Sequence, residues 1–135
     1  MKKSYGLIAL SISFFLFLSP AGGAGKSPFM IGVNLELTGP WAEVTKTLKR
    51  TMVMEAERIN AAGGIHGRPL ELVFEDNGFD LNRAATLMTK FSRNPEILAV
   101  IGPFEDNLQA TTRAIAEREK ITNLIICPQT PRCGP

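Results

Sequence analysis

Residues 60–76 read NAAGGIHGRPLELVFED and hold three of the chain's twelve glycines together with its only histidine. Gly63-Gly64 stops a run with helical spacing, and Gly67-Arg68-Pro69 opens a run with strand-like alternation. The stretch is therefore either a plain connector between a helix and a strand or a loop that presents His66 for chemistry. The two readings separate on which end of a sheet the stretch occupies, and that follows from its surroundings.

Upstream, Met30 to Glu36 (MIGVNLE) is a short apolar run closed by the Thr38-Gly39-Pro40 turn, which predicts a first strand. Val44, Leu48, Met52, Ala56 and Ile59 then recur at steps of three and four, predicting one inward helix face with Glu55 and Glu57 outward. Downstream, Leu70, Leu72 and Phe74 mark a second strand, ended by Asp76-Asn77-Gly78. Asp80 is placed to cap a second helix with Ala84, Leu87, Met88 and Phe91 inward, ended by Asn94-Pro95. ILAVIG (97–102) is apolar on both faces, the pattern of a strand covered from either side. Asp106 or Glu105 is expected to cap a third helix with Leu108, Thr111, Ile115 and Ala116 inward, and Ile121 to Cys127 reads as a fourth strand.

The order β-α-β-α-β-α-β predicts an α/β fold, a doubly wound parallel sheet with right-handed crossovers. In such sheets ligands bind beyond the carboxyl ends of the strands, near the point where strand order reverses. Residues 60–69 run from helix to strand and so lie at the opposite end. His66 is expected to be a surface or packing residue, and the stretch a connector.

At the start of the chain, Lys2 and Lys3 precede an apolar run from Gly6 to Leu18 and then PAGGAG. The run is short of the roughly 20 residues of a transmembrane helix and has the layout of a secretory signal. A signal peptide over 1–24 is expected, with cleavage before Gly25 or after Ala21, leaving residues 25–135 as the exported domain. No cysteine lies near the cut, so no lipid or other membrane anchor is expected after cleavage. The chain has 15 basic and 13 acidic residues, and loss of Lys2 and Lys3 leaves 13 of each. A neutral domain offers no electrostatic footprint for nucleic acid. AGGAGKS (21–27) has the look of a phosphate-binding loop, but Pro20 stands where its first glycine should be. Cys127 and Cys133 could pair in an oxidising compartment, or be a strand-end thiol and an unpaired tail residue. Two cysteines and one distant histidine do not make a zinc site, and no metal is expected.

IGVNLELTGP, ERINAAGGIHGRPLELVFEDNGFD, ILAVIGPF and CPQTP, taken in order, resemble the branched-chain amino-acid-binding (leucine-binding) proteins of ABC transporters, which have the type 1 periplasmic binding fold. The INAAGGIHGRPLEL stretch carries most of the likeness, which covers about residues 29–131. The resemblance implies an extracytoplasmic receptor whose two lobes close on a small ligand and dock on a membrane permease. Family members look roughly two and a half times longer, so residues 25–135 correspond to a partial amino-terminal lobe. The family's contacts carry over to Thr38 and Trp41 after the first strand, Phe104, Asp106 and Asn107 after the third, and Gln129 and Thr130 after the fourth. Amino-acid binders present serine hydroxyls and amides in the third loop, whereas this sequence has Glu105, Asp106 and Asn107. A ligand carboxylate would meet repulsion there unless Asp106 turns aside to cap its helix. Either way the third loop argues against an amino-acid ligand and leaves a neutral amide or an aromatic compound open. Trp41 either stacks on the ligand or lids the first helix.

The expected function is solute capture for an ABC importer. A ligand-sensing domain of a regulatory or chemoreceptor system is the alternative, as is a truncated, non-functional gene product. No enzyme and no cofactor are expected. ELTGPWAEV lacks the glycines of a dinucleotide loop, which leaves Asp76 as a turn residue. No nucleophile, base and orienting group share a loop.

Overall fold

An apolar strand in the middle of a parallel sheet needs helices on its faces, and the chain supplies strands and helices in strict alternation. The computed structural model describes residues 26–126. It comprises β1 (Phe29–Leu35), α1 (Ala42–Ala61), β2 (Leu70–Asp76), α2 (Leu81–Ser92), β3 (Ile97–Ile101), α3 (Asp106–Glu119) and β4 (Thr122–Leu124). All strand pairs are parallel, in the order β2-β1-β3-β4. The path steps from β1 to β2 on one side, then returns past β1 to β3. Right-handed crossovers therefore set α1 on one face and α2 with α3 on the other.

Side chains agree with that placement. Val73 and Val100, both in register with Gly32, face the α2–α3 layer, where Met88, Phe91, Ile97, Val100, Ile115 and Ala116 form the buried core. Phe74, one residue on, faces the other way, and the Lys49 ammonium of α1 sits 4.8 Å from its ring centroid. Gly32 makes the close layer contact possible, because a Cβ there would stand 2.8 Å from the Phe91 ring. Asp80 caps α2 as expected, its carboxylate accepting from the Arg83 amide at 2.7 Å.

The quoted stretch is a connector at the amino end of the sheet. Gly63 and Gly64 take φ of 99° and 73° as α1 ends. Ile65 and Arg68 then exchange backbone hydrogen bonds across His66 and Gly67, whose φ values of 51° and 73° make a type I′ turn. Arg68 binds the carbonyls of Ser27 and Pro28 just before β1, and the His66 carbonyl accepts from Lys26. The imidazole is exposed.

Several details depart from the periodic reading. Val44 is 45% exposed, and Thr45 takes the buried place instead, because α1 lies over β1 and β2 and its far edge overhangs no strand. For the same reason β3 is covered on one side only, and Leu98 is 52% exposed. In α3 the buried threonine is Thr112, not Thr111. The strand read from Ile121 to Cys127 is a ladder of three residues ending at Leu124.

Candidate ligand-binding site

Strand order reverses between β1 and β3, so their carboxyl ends open a crevice between two βα loops. Residues 36–41 form the first loop and residues 102–105 the second. Glu36 links them. It is fully buried, and its carboxylate accepts the backbone N–H groups of Phe104 and Glu105 at 3.2 and 3.3 Å. Its carbonyl accepts the Thr45 hydroxyl at 2.6 Å, which ties the first loop to α1. Above this anchor the rings of Trp41 and Phe104 meet edge to face, centroids 5.5 Å apart. Trp41 is 38% exposed and Phe104 half-buried. Two of the residues predicted from sequence thus come together from loops more than sixty positions apart.

Thr38 is held from the neighbouring β2–α2 turn. Its hydroxyl donates to Asp76 Oδ2 at 2.7 Å and its amide to Oδ1 at 3.1 Å, while the Gly78 amide donates to Oδ1 at 2.8 Å. Burial pushes the Asp76 carboxyl up. The Thr38 hydroxyl, the Gly78 and Thr38 amides and the Arg83 charge together outweigh that and hold it below the usual carboxylate range. Beneath the turn, Asn77 donates to Asn34 Oδ1 and Asn34 to the Ala84 carbonyl, both side chains fully buried. On the other flank, Gln109 Nε2 donates to the carbonyls of Pro103, Phe104 and Ile126. The loops are therefore fixed by polar side chains on adjoining elements.

At the end of the second loop Glu105, not Asp106, caps α3. Its carboxylate accepts from the Asn107 amide and from Asn107 Nδ2, each at 2.8 Å. Asp106 begins the helix half-buried and Asn107 is exposed with its side-chain amide engaged. Gln129 and Thr130, the signal segment expected over 1–24 and both Cys127 and Cys133 lie outside the described residues. Sequence reading missed Glu36 as an anchor. The signal available was an acidic residue directly ending an apolar strand, but its partners are 68 and 69 positions away. Among the described residues no group of three or more His, Cys, Asp or Glu side chains is placed to hold a metal ion. No helix there is long and apolar enough to cross a membrane.

With this geometry in view, comparison with known proteins is specific. The family described as periplasmic binding protein matches residues 28–131. The chain belongs to that family. Within it, the Leu/Ile/Val-binding protein homolog 2 of Brucella abortus is 29% identical over 109 residues, covering 81% of this chain and 29% of the relative. An amino acid binding protein of Pseudomonas aeruginosa is 32% identical over 99 residues, 73% of this chain and 26% of its own. Among solved structures, the branched-chain amino acid transporter substrate-binding protein LivJ of Streptococcus pneumoniae, in complex with isoleucine, superposes with a TM-score of 0.71. It shares 28% identity and covers 77% of this chain and 30% of the other. This periplasmic binding protein chain spans less than a third of the length of each relative.

Proposed function

We propose that this chain captures a small polar solute, an amino acid or an amide-like compound, outside the cytoplasm and hands it to the permease of an ABC importer. One observation carries the reading. Trp41 and Phe104 come from two different βα loops and meet at the strand-order reversal, where sheets of this kind take their ligands. The relatives support the chemical class, being described as binding Leu, Ile and Val or amino acids. The role is capture without catalysis, since Glu36, Asp76 and Glu105 spend their carboxylates on loop amides. Export through a signal in residues 1–24 fits the same role. Thr38, Trp41, Phe104, Asp106 and Asn107 would form one wall of the site, joined by Gln129 and Thr130.

Amide-resolved NMR during titration with a panel of amino acids and their amides tests the proposal. Shifts should concentrate in residues 36–41 and 102–107 and spare residues 63–68. Shifts centred on His66 would show that the ligand lies at the other end of the sheet.

A further inference from the structure

Free backbone N–H groups at the end of a strand and the start of a helix are the natural place for an anion. On the α3 side of this crevice the donors of residues 104, 105 and 107–109 already have partners inside the protein. The Phe104 and Glu105 amides are held by the Glu36 carboxylate, and the Asn107 amide by that of Glu105. The Leu108 and Gln109 amides are bonded to the Glu105 carbonyl. Across the crevice the Thr38 and Gly78 amides are bonded to Asp76. A ligand carboxylate would find these donors taken, and beneath them a fully buried Glu36 charge. Among the described residues no ion pair to Lys or Arg offsets Glu36 or Glu105.

The aromatic pair marks the crevice independently of the carboxylates. An exposed indole set edge to face against a phenyl ring offers a π-surface, and such surfaces attract organic ammonium groups. Negative charge below and an aromatic surface above favour one ligand charge. We infer that Glu36 sets the charge selectivity of the site, so that the crevice takes an amine cation lacking a free carboxylate and disfavours carboxylates. Glu36 acts here as a positioning residue, through the two amides it occupies and the field it sets. The inference rests on the crevice being the ligand site, as proposed above, and narrows the small polar solute of that reading to cationic amines, amino-acid amides among them, at the expense of free amino acids.

Trp41 is the chain's only tryptophan, so its emission reports on the crevice directly. The purified protein is titrated with three compounds sharing one carbon skeleton. They are leucine, isoamylamine (leucine without the carboxylate) and isocaproate (leucine without the amine). Isoamylamine should perturb Trp41 emission at concentrations at least about tenfold lower than leucine, a difference of roughly 1.4 kcal/mol, and isocaproate should have the weakest effect. Glu36→Gln should shrink the amine preference to within about threefold, with circular dichroism showing that the variant is folded. Glu105→Gln, at the half-buried cap, should shrink it in part and serves if Glu36→Gln does not fold. Leucine or isocaproate matching isoamylamine would overturn the inference while leaving the crevice as the ligand site. An unchanged preference in folded Glu36→Gln would overturn Glu36 as its source. Silence of Trp41 towards all three compounds would remove the inference and the site together.

Discussion

At the residue scale, one side chain beside the site and one missing side chain in the core beneath it show how much single positions decide. Asp76 holds the Thr38 loop through two hydrogen bonds and its own turn through a third, and its carboxyl is kept below its ordinary value of 3.8. A group whose pKa is lowered on folding stabilises the protein above its unfolded value, and the contribution fades as pH falls through the folded one. Asp76→Asn should therefore cost about 1–2 kcal/mol at neutral pH, the worth of hydrogen bonds to a charged acceptor. The gap to wild type should close below about pH 4. Chemical denaturation across that pH range checks it, and a gap constant with pH would mean that the charge is immaterial. Gly32 has the opposite significance, because what matters is the atom it lacks. A Cβ at 2.8 Å from the Phe91 ring forces either ring or strand to move. Gly32→Ala should destabilise by about 1–3 kcal/mol, as overpacking does. In a Phe91→Leu background the same change should cost much less, and equal costs in both backgrounds would show the two are not coupled.

At the element scale, the sequence was most legible where one element's own pattern decides the outcome. The four inward residues of α2 are Ala84, Leu87, Met88 and Phe91, and all are buried, because that helix crosses a full-width part of the sheet. Asp80 could be read as its cap because capping is local. The α1 pattern failed at Val44, and the β3 pattern at Leu98, for a shared reason. Periodicity says which residues are apolar, but not how far across the sheet a helix reaches. The Trp41–Phe104 pair was foreseeable residue by residue from the family resemblance, but the Glu36 anchor was not, since it depends on where a distant loop passes. The quoted turn illustrates a local reading that succeeded without the detail. Sequence placed Ile65–Arg68 in a connector, and the structure adds that His66 sits at φ 51°. Left-handed backbone costs an L-residue about 1–2 kcal/mol, of which glycine is relieved at some cost in unfolded-state entropy. His66→Gly should thus raise stability by roughly 0.5 kcal/mol and His66→Val should lower it by about 1 kcal/mol. Neither should alter the response of Trp41 to ligand. Thermal melts of the two variants in the opposite order would show that the turn relaxes.

At the scale of the whole molecule, the described sheet is unevenly covered. The α2–α3 layer closes one face, whereas α1 leaves the β3–β4 part of the other open. Leu98 and Leu124 are each 52% exposed, and Ile125 is 37% exposed, close to the edge where β4 pairs with β3 and with no other strand among the described residues. ITNLIIC (121–127) carries no charge. An apolar edge without a charged or proline gatekeeper is a template for pairing with a second chain, since its outer N–H and C=O groups gain hydrogen bonds as the flanking leucines leave water. The 135-residue chain by itself should therefore self-associate in sedimentation velocity at tens of micromolar or below, an affinity of roughly −6 to −7 kcal/mol. Leu124→Lys places a charge beside that edge on an already exposed position, so it should weaken association at least about tenfold, or 1.4 kcal/mol, with little change in monomer stability. Ligand response should move independently, because the Trp41–Phe104 crevice lies between β1 and β3 and not on the open edge. A wild-type chain that sediments as a monomer at every concentration would show that the edge is covered. An unchanged assembly in Leu124→Lys would place the contact elsewhere on the surface.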